Sequence, residues 1–148
     1  MKNNEQHVAT EIVIFGALGD LSRRKLLPAL YQLDLAGLLH EDSHVVAAAR
    51  NDVTSDEFVE LVRESLTTFV KEGLDESVLE RFVARLVYHK MDFKDVTSFE
   101  GLATTLDKGS DTRVFYFSTS LRFNPCWNLS REGIKSDLLS SQYPLCFI

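Results

Sequence analysis

The chain has 148 residues, the size of one ordinary domain, which leaves no room for two. Its 45% hydrophobic and 26% charged content, with ten Phe against seven Gly and three Pro, excludes disordered, collagenous and low-complexity classes. A net charge of −6 argues against a nucleic-acid partner, because phosphate contacts need a basic face. At this length a chain buries about 68–70% of its unfolded surface and needs neither disulfide nor metal to fold. No apolar stretch approaches the ~20 residues that span a bilayer, so no membrane partner is expected. The polar residues 1–6 lack the apolar core and cleavage site of a secretory leader. Cys126 and Cys146 show no metal-binding or paired spacing, so reduced thiols and a cytoplasmic address are expected.

In chain order, Ile12-Val13-Ile14-Phe15 is a continuous apolar run ending at Gly16, as in a strand buried on both faces. Leu26, Leu27, Leu30, Tyr31, Leu33 and Leu38 then recur at helical spacing, with Gly37 as terminator. Pro28 inside this stretch predicts a kink there, or a short first turn before the helix proper. Residues 45–49 read as a second buried strand ending at Arg50. Thr54 and Glu57 form a capping box ahead of an apolar face of Phe58, Val59, Val62, Leu66, Phe69 and Val70. Asp75 caps a further helix with Val78, Leu79, Phe82, Val83 and Leu86 inward. Residues 86–91 predict a weaker strand, and Thr97 with Glu100 a second capping box ahead of Phe99, Leu102 and Leu106. Val114-Phe115-Tyr116-Phe117 is the fourth strand. Such alternation, joined by right-handed crossovers, gives a doubly wound, Rossmann-like α/β domain with a mostly parallel sheet and helices on both faces.

The loop Gly16-Ala17-Leu18-Gly19-Asp20-Leu21-Ser22 joins the first strand to the first helix. Glycines in such a turn let backbone N–H groups approach a diphosphate, and the helix N-terminus adds partial positive charge. The spacing is G-x-x-G with Ser22 as the third small residue, unlike G-x-G-x-x-G, and a tight turn needing positive φ explains the same glycines. Arg50 closes the second strand, where an acidic residue would bind the ribose 2′-hydroxyl of NAD and an arginine the 2′-phosphate of NADP. A charged hydrogen bond of about 1.5–3 kcal/mol gives roughly ten- to hundredfold preference; a solvent-facing arginine is the plain alternative. Asp20 reads equally as a helix cap or a ligand contact.

The run from Gly16 to Tyr31, with Gly19-Asp20-Leu21, the basic Arg23-Arg24-Lys25, then Leu27-Pro28 and Tyr31, resembles the N-terminal signature of glucose-6-phosphate dehydrogenases. Ala49-Arg50, Phe69-Val70-Lys71, Met91-Asp92-Phe93 and Val114-Phe115-Tyr116-Phe117-Ser118 continue the likeness to the bacterial enzymes over about residues 8–120. The resemblance implies NADP-linked oxidation of D-glucose 6-phosphate to 6-phosphoglucono-δ-lactone, in the oxidative pentose phosphate route, by a homo-oligomeric parent. It implies that Gly16, Ala17, Leu18, Gly19, Asp20, Leu21, Ser22 and Arg23 cradle the NADP phosphates and that Arg50 holds the 2′-phosphate. Asp92 and Phe93 border the cofactor, and Tyr116 lies toward the nicotinamide. The basic cluster then serves the phosphate side of the loop, with at least one side chain left to solvent.

The likeness fades after Ser120. No Glu-Lys-Pro motif follows, and residues 121–148 read as a divergent tail, truncated or frame-shifted, behind a binding unit over residues 1–120. The family's catalytic histidine and its aspartate belong to a second, substrate-binding domain, so no catalytic residue is assigned. His7, His40, His44 and His89 have no carboxylate at telling spacing, and turnover by this chain alone is not expected. The alternatives are a non-catalytic NADP-binding module, an inert remnant or, well behind, a short-chain oxidoreductase lacking the required Tyr-x-x-x-Lys pair. No metal site is expected.

Overall fold

The computed structural model describes residues 8–92, 94–106, 112–118 and 145–147. Thr10–Phe15 (β1), His44–Ala49 (β2), Leu86–Lys90 (β3), Thr112–Phe117 (β4) and Leu145–Phe147 (β5) form one sheet of order β3-β2-β1-β4-β5. Every pairing is parallel. Leu27–Leu35 (α1), Ser55–Phe69 (α2), Glu76–Ala84 (α3) and Val96–Thr105 (α4) connect the strands. The chain runs outward from β1 through β2 to β3, then crosses back to β4 on the other side. That reversal is the doubly wound topology expected from the alternation.

Alternation along β1 sends Ile12 and Ile14 to one face and Val13 and Phe15 to the other. The first face packs on α1, α2 and α3 through Leu27, Tyr31, Phe58, Val62, Leu66, Phe82 and their neighbours. The second packs on α4 through Phe99, Leu102 and Leu106. There Phe15 stacks on Phe115 and Phe117, with ring centroids 6.1 and 5.1 Å away. The helical spacing thus identified the inward residues, except that Leu33 and Leu38 are 40% and 51% exposed and that Leu86 lies beyond α3 as the first residue of β3.

Local signals explain most helix ends. The Thr54–Glu57 capping box is closed by both of its hydrogen bonds, and Asp75 accepts from the N–H of Val78. Gly37, at φ +71°, ends α1: its N–H donates to Asp34 and that of Leu38 to Leu33, a Schellman closure in which only glycine is unstrained.

Two expectations are corrected and one is resolved between its alternatives. The second box does not form, because Asp95, two residues earlier, caps α4, accepting from the N–H and hydroxyl of Thr97; its short Asx side chain reaches a free N–H of the helix and takes Thr97 into the first turn. At Pro28 the second of the two expected outcomes is found, a short first turn followed by the helix proper. A π-helical turn, Ser22–Leu26, precedes it, and the N–H of Leu27 reaches back to Ser22, so the missing proline N–H falls at the start of α1 where it is least needed. Four strands were anticipated, and a fifth, β5, adds to β4 from within residues 121–148. Residues 119–144 lie outside the described residues, as does His7.

Charges far apart in sequence close the end of the sheet away from the loop. Asp34, 1% exposed, lies 3.2 Å from Arg85 and 3.0 Å from Arg81. Arg85 also donates to the carbonyls of His40, Glu41 and Ser43, fixing the α1–β2 connection. Glu11 and Arg113, register partners on β1 and β4, pair at 2.7 Å. Asp34→Ala strands a buried guanidinium and should lower the unfolding free energy by about 3–5 kcal/mol; urea unfolding showing a loss below about 1 kcal/mol would contradict that role.

His89, on β3 facing α4, has Nδ1 3.2 Å from the Thr105 hydroxyl. Burial lowers its pKa below the ordinary 6.5, partly offset by a hydrogen bond with the Ser98 backbone. The unfolded chain therefore takes up this proton first, and stability should fall as pH drops from 6.5 towards the folded value. Thermal melts should show a flatter acid slope for His89→Gln; an unchanged slope would contradict this.

Candidate cofactor site

The switch in strand order leaves a crevice at the carboxyl ends of β1 and β4, where open α/β sheets bind ligands. Backbone hydrogen bonds fix its floor. Gly16 and Ala17 N–H donate to the Ala48 carbonyl at the end of β2, at 2.9 and 3.3 Å, and Ser118 N–H donates to Phe15 at 2.8 Å. Gly16 turns the chain at φ +80°. Gly19 N–H closes the turn on the Gly16 carbonyl at 2.9 Å. A Cβ on Gly19 would sit only 3.1 Å from that carbonyl, and 3.6 Å from that of Ser118 at the end of β4, so the turn closes tightly on itself because residue 19 has no side chain. Both glycines are thus needed for the turn itself.

The helix starts at Asp20, and its first intrahelical bond is from Arg23 N–H to Gly19, at 3.1 Å. The N–H groups of Asp20, Leu21 and Ser22 precede that bond and have no intrahelical acceptor. They sit at the positive end of the helix dipole. Among the described residues, the Ser118 hydroxyl is the one buried side-chain oxygen without a hydrogen-bond partner, and it lies at this same strand end. Orphan donors, a glycine where a side chain would intrude and an unmet hydroxyl together fit the diphosphate of a dinucleotide.

The expected site residues divide by what their side chains do. Gly16, Ala17, Leu18 and Gly19 form the loop, Ala17 buried and Leu18 packed on the core. Ser22 is fully buried, and its hydroxyl donates to the Gly16 carbonyl at 3.1 Å; it braces the loop from beneath. Leu21 is 49% exposed. Asp20 makes no capping bond among the described residues; its carboxylate faces Arg24 at 3.5 Å, and Arg24 also lies 5.8 Å from the Phe69 ring centre. Arg23 reaches across to α2 and donates from Nε to the Ser65 hydroxyl at 3.2 Å, while Lys25 is exposed. The basic triplet therefore does not act as one patch.

Arg50 is exposed at the end of β2, two residues beyond Ala48, whose carbonyl anchors the loop. Asp92 is exposed beyond β3, its carboxylate accepting from Lys94 N–H at 3.0 Å in the turn that leads to α4. Tyr116 pairs with Ile14 in the ladder. Phe93 falls outside the described residues. Sequence reasoning missed Ser65 and passed over the hydroxyl of Ser118. Ser65 stands 42 positions from Arg23, with no motif to link them. Among the described residues no His, Cys, Asp and Glu group has metal-binding geometry, and no helix is long and apolar enough to cross a membrane.

The sequence matches, over residues 13–141, the family described as glucose-6-phosphate dehydrogenase, NAD binding domain. A glucose-6-phosphate 1-dehydrogenase from Dickeya dadantii is 42% identical over 110 residues, which is 74% of this chain and 22% of that protein. The chain therefore spans under a quarter of that relative's length. Among solved structures, glucose-6-phosphate 1-dehydrogenase from Mycobacterium avium superposes with TM-score 0.79 at 27% identity, covering 95% of this chain and 30% of that one. A glucose-6-phosphate dehydrogenase solved with its substrate glucose 6-phosphate gives TM-score 0.78 at 25% identity, with the same coverage. The sheet order, the glycine turn at its switch point and the match over most of the sequence agree: this chain belongs to the glucose-6-phosphate dehydrogenase family, in its dinucleotide-binding domain.

Proposed function

We propose that this chain supplies the NADP-binding part of an enzyme that oxidises D-glucose 6-phosphate to 6-phosphoglucono-δ-lactone. The observation that carries this reading is the glycine turn and helix start at the β1–β4 switch point, with Arg50 closing the adjacent strand. The substrate follows from the family and from the relative whose structure holds glucose 6-phosphate. Bound there, NADP would supply a hydride acceptor for oxidation of the anomeric carbon, whose hydroxyl proton would pass to a base as that carbon becomes the lactone carbonyl.

In this reading the loop residues Gly16, Ala17, Leu18 and Gly19 bring backbone against the diphosphate. Asp20, Leu21 and Ser22 offer the helix-start N–H groups, and Arg23 adds charge. Arg50 takes the 2′-phosphate, which NAD lacks. Asp92 and Phe93 border the cofactor beyond β3. The binding unit is assigned to residues 1–120, in a cytoplasmic protein whose two cysteines stay reduced. None of the residues described supplies the base.

Calorimetric titration of the chain with NADP and with NAD tests the reading. NADP should bind more tightly, and Arg50→Ala should lower the NADP affinity about ten- to hundredfold while leaving NAD binding nearly unchanged. Absence of binding by both dinucleotides, in a chain that melts cooperatively, would remove the functional reading and leave the family membership standing.

A further inference from the structure

The arginines differ in what answers their charge. Arg24 faces Asp20, Arg63 faces Glu60, Glu76 and Glu80, Arg81 and Arg85 share Asp34, and Arg113 faces Glu11. Arg23 has a neutral partner instead: its Nε donates to the hydroxyl of Ser65, at 3.2 Å. Ser65 is 1% exposed, and its own proton is committed to the Leu61 carbonyl at 2.7 Å. With that proton fixed, the hydroxyl turns only lone pairs towards Arg23 and serves it purely as an acceptor. The contact therefore orients the guanidinium without neutralising it.

Orientation follows from the planar fork. Once Nε is occupied, the pair of Nη groups forms the open edge, suited to two parallel bonds to an oxyanion. Among the described residues no protein acceptor is recorded for these groups. Arg23 itself belongs to the first helical turn after the glycine loop, its backbone N–H closing that turn on Gly19, so its side chain departs from the same short segment that carries the N–H groups of residues 20–22. A half-buried cation with its fork unspent, carried on the first turn of the helix, is suited to an anion from outside the protein.

We propose that Ser65 is a positioning residue: it holds Arg23 uncompensated at the glycine turn so that the guanidinium receives the diphosphate of the bound dinucleotide. The inference rests on the dinucleotide-binding reading above and adds a residue from α2 that touches no ligand itself. A merely structural serine would affect stability alone.

A double-mutant cycle on the 148-residue chain, read by calorimetry with NADP and NAD and accompanied by thermal melts, tests this. Arg23→Ala should weaken both dinucleotides about ten- to hundredfold. Ser65→Ala should weaken both roughly three- to tenfold, and should add nothing in the Arg23→Ala background. Equal loss for both ligands assigns the contact to the shared diphosphate, whereas a loss confined to NADP would overturn that assignment in favour of the 2′-phosphate. If the unaltered chain binds and either single variant binds as well as it does, or the two losses add, the inference falls and the dinucleotide reading survives. If the unaltered chain binds neither ligand, both fall together.

Discussion

β1 is the strand on which every other placement depends. Its side chains are buried on both faces, and β2 and β4 flank it in parallel. A central parallel strand cannot be reached by a tight hairpin on either side, so each neighbour arrives through a helical crossover. The first crossovers lay α1 to α3 on one face, and the return to β4 lays α4 on the other. The two helical layers part above the carboxyl end of β1, and the chain leaving that end has to turn at once to start a helix. Gly16 and Gly19 are the residues that make the turn sterically possible.

The binding chemistry grows out of that geometry. A helix beginning beside the sheet exposes N–H groups that nothing inside the helix satisfies. Ser22 braces the turn from within, and Ser118 brings an unmet hydroxyl to the same strand end. The charges sort into two populations. At the opposite end of the sheet, Asp34 with Arg85 and Glu11 with Arg113 are paired and buried, and serve the fold. Beside the glycine turn, Arg23 is tethered by a hydroxyl, which preserves its charge for use.

Where the chain's chemistry is local, the sequence made it readable. The Thr54 box, the Asp75 cap and the Gly37 closure each depend on residues within one turn, and each formed. Strand β1 was legible as a continuous apolar run because both its faces are buried. The failures share a cause. Thr97 lost the cap to Asp95 because two residues of capping type lie within one turn of the helix start, and spacing alone does not rank them. At Pro28 the short first turn was foreseen, but its π register, a change of hydrogen bonding that composition does not announce, was not. The Asp34–Arg85 pair and the Arg23–Ser65 tether join residues 51 and 42 positions apart, beyond any local pattern. The glycine motif located the site, but the division of labour inside it, Ser22 bracing and Arg23 reaching to α2, required the tertiary structure.

Amide hydrogen exchange with and without saturating NADP bears most directly on the claim that the switch-point turn is the binding surface. The account predicts slowed exchange concentrated in residues 16–23, with smaller changes beside Arg50 and Asp92, and none in α3, which packs at the far end of α1. Protection appearing on α3, or a turn whose exchange stays unchanged while NADP binds, would contradict it.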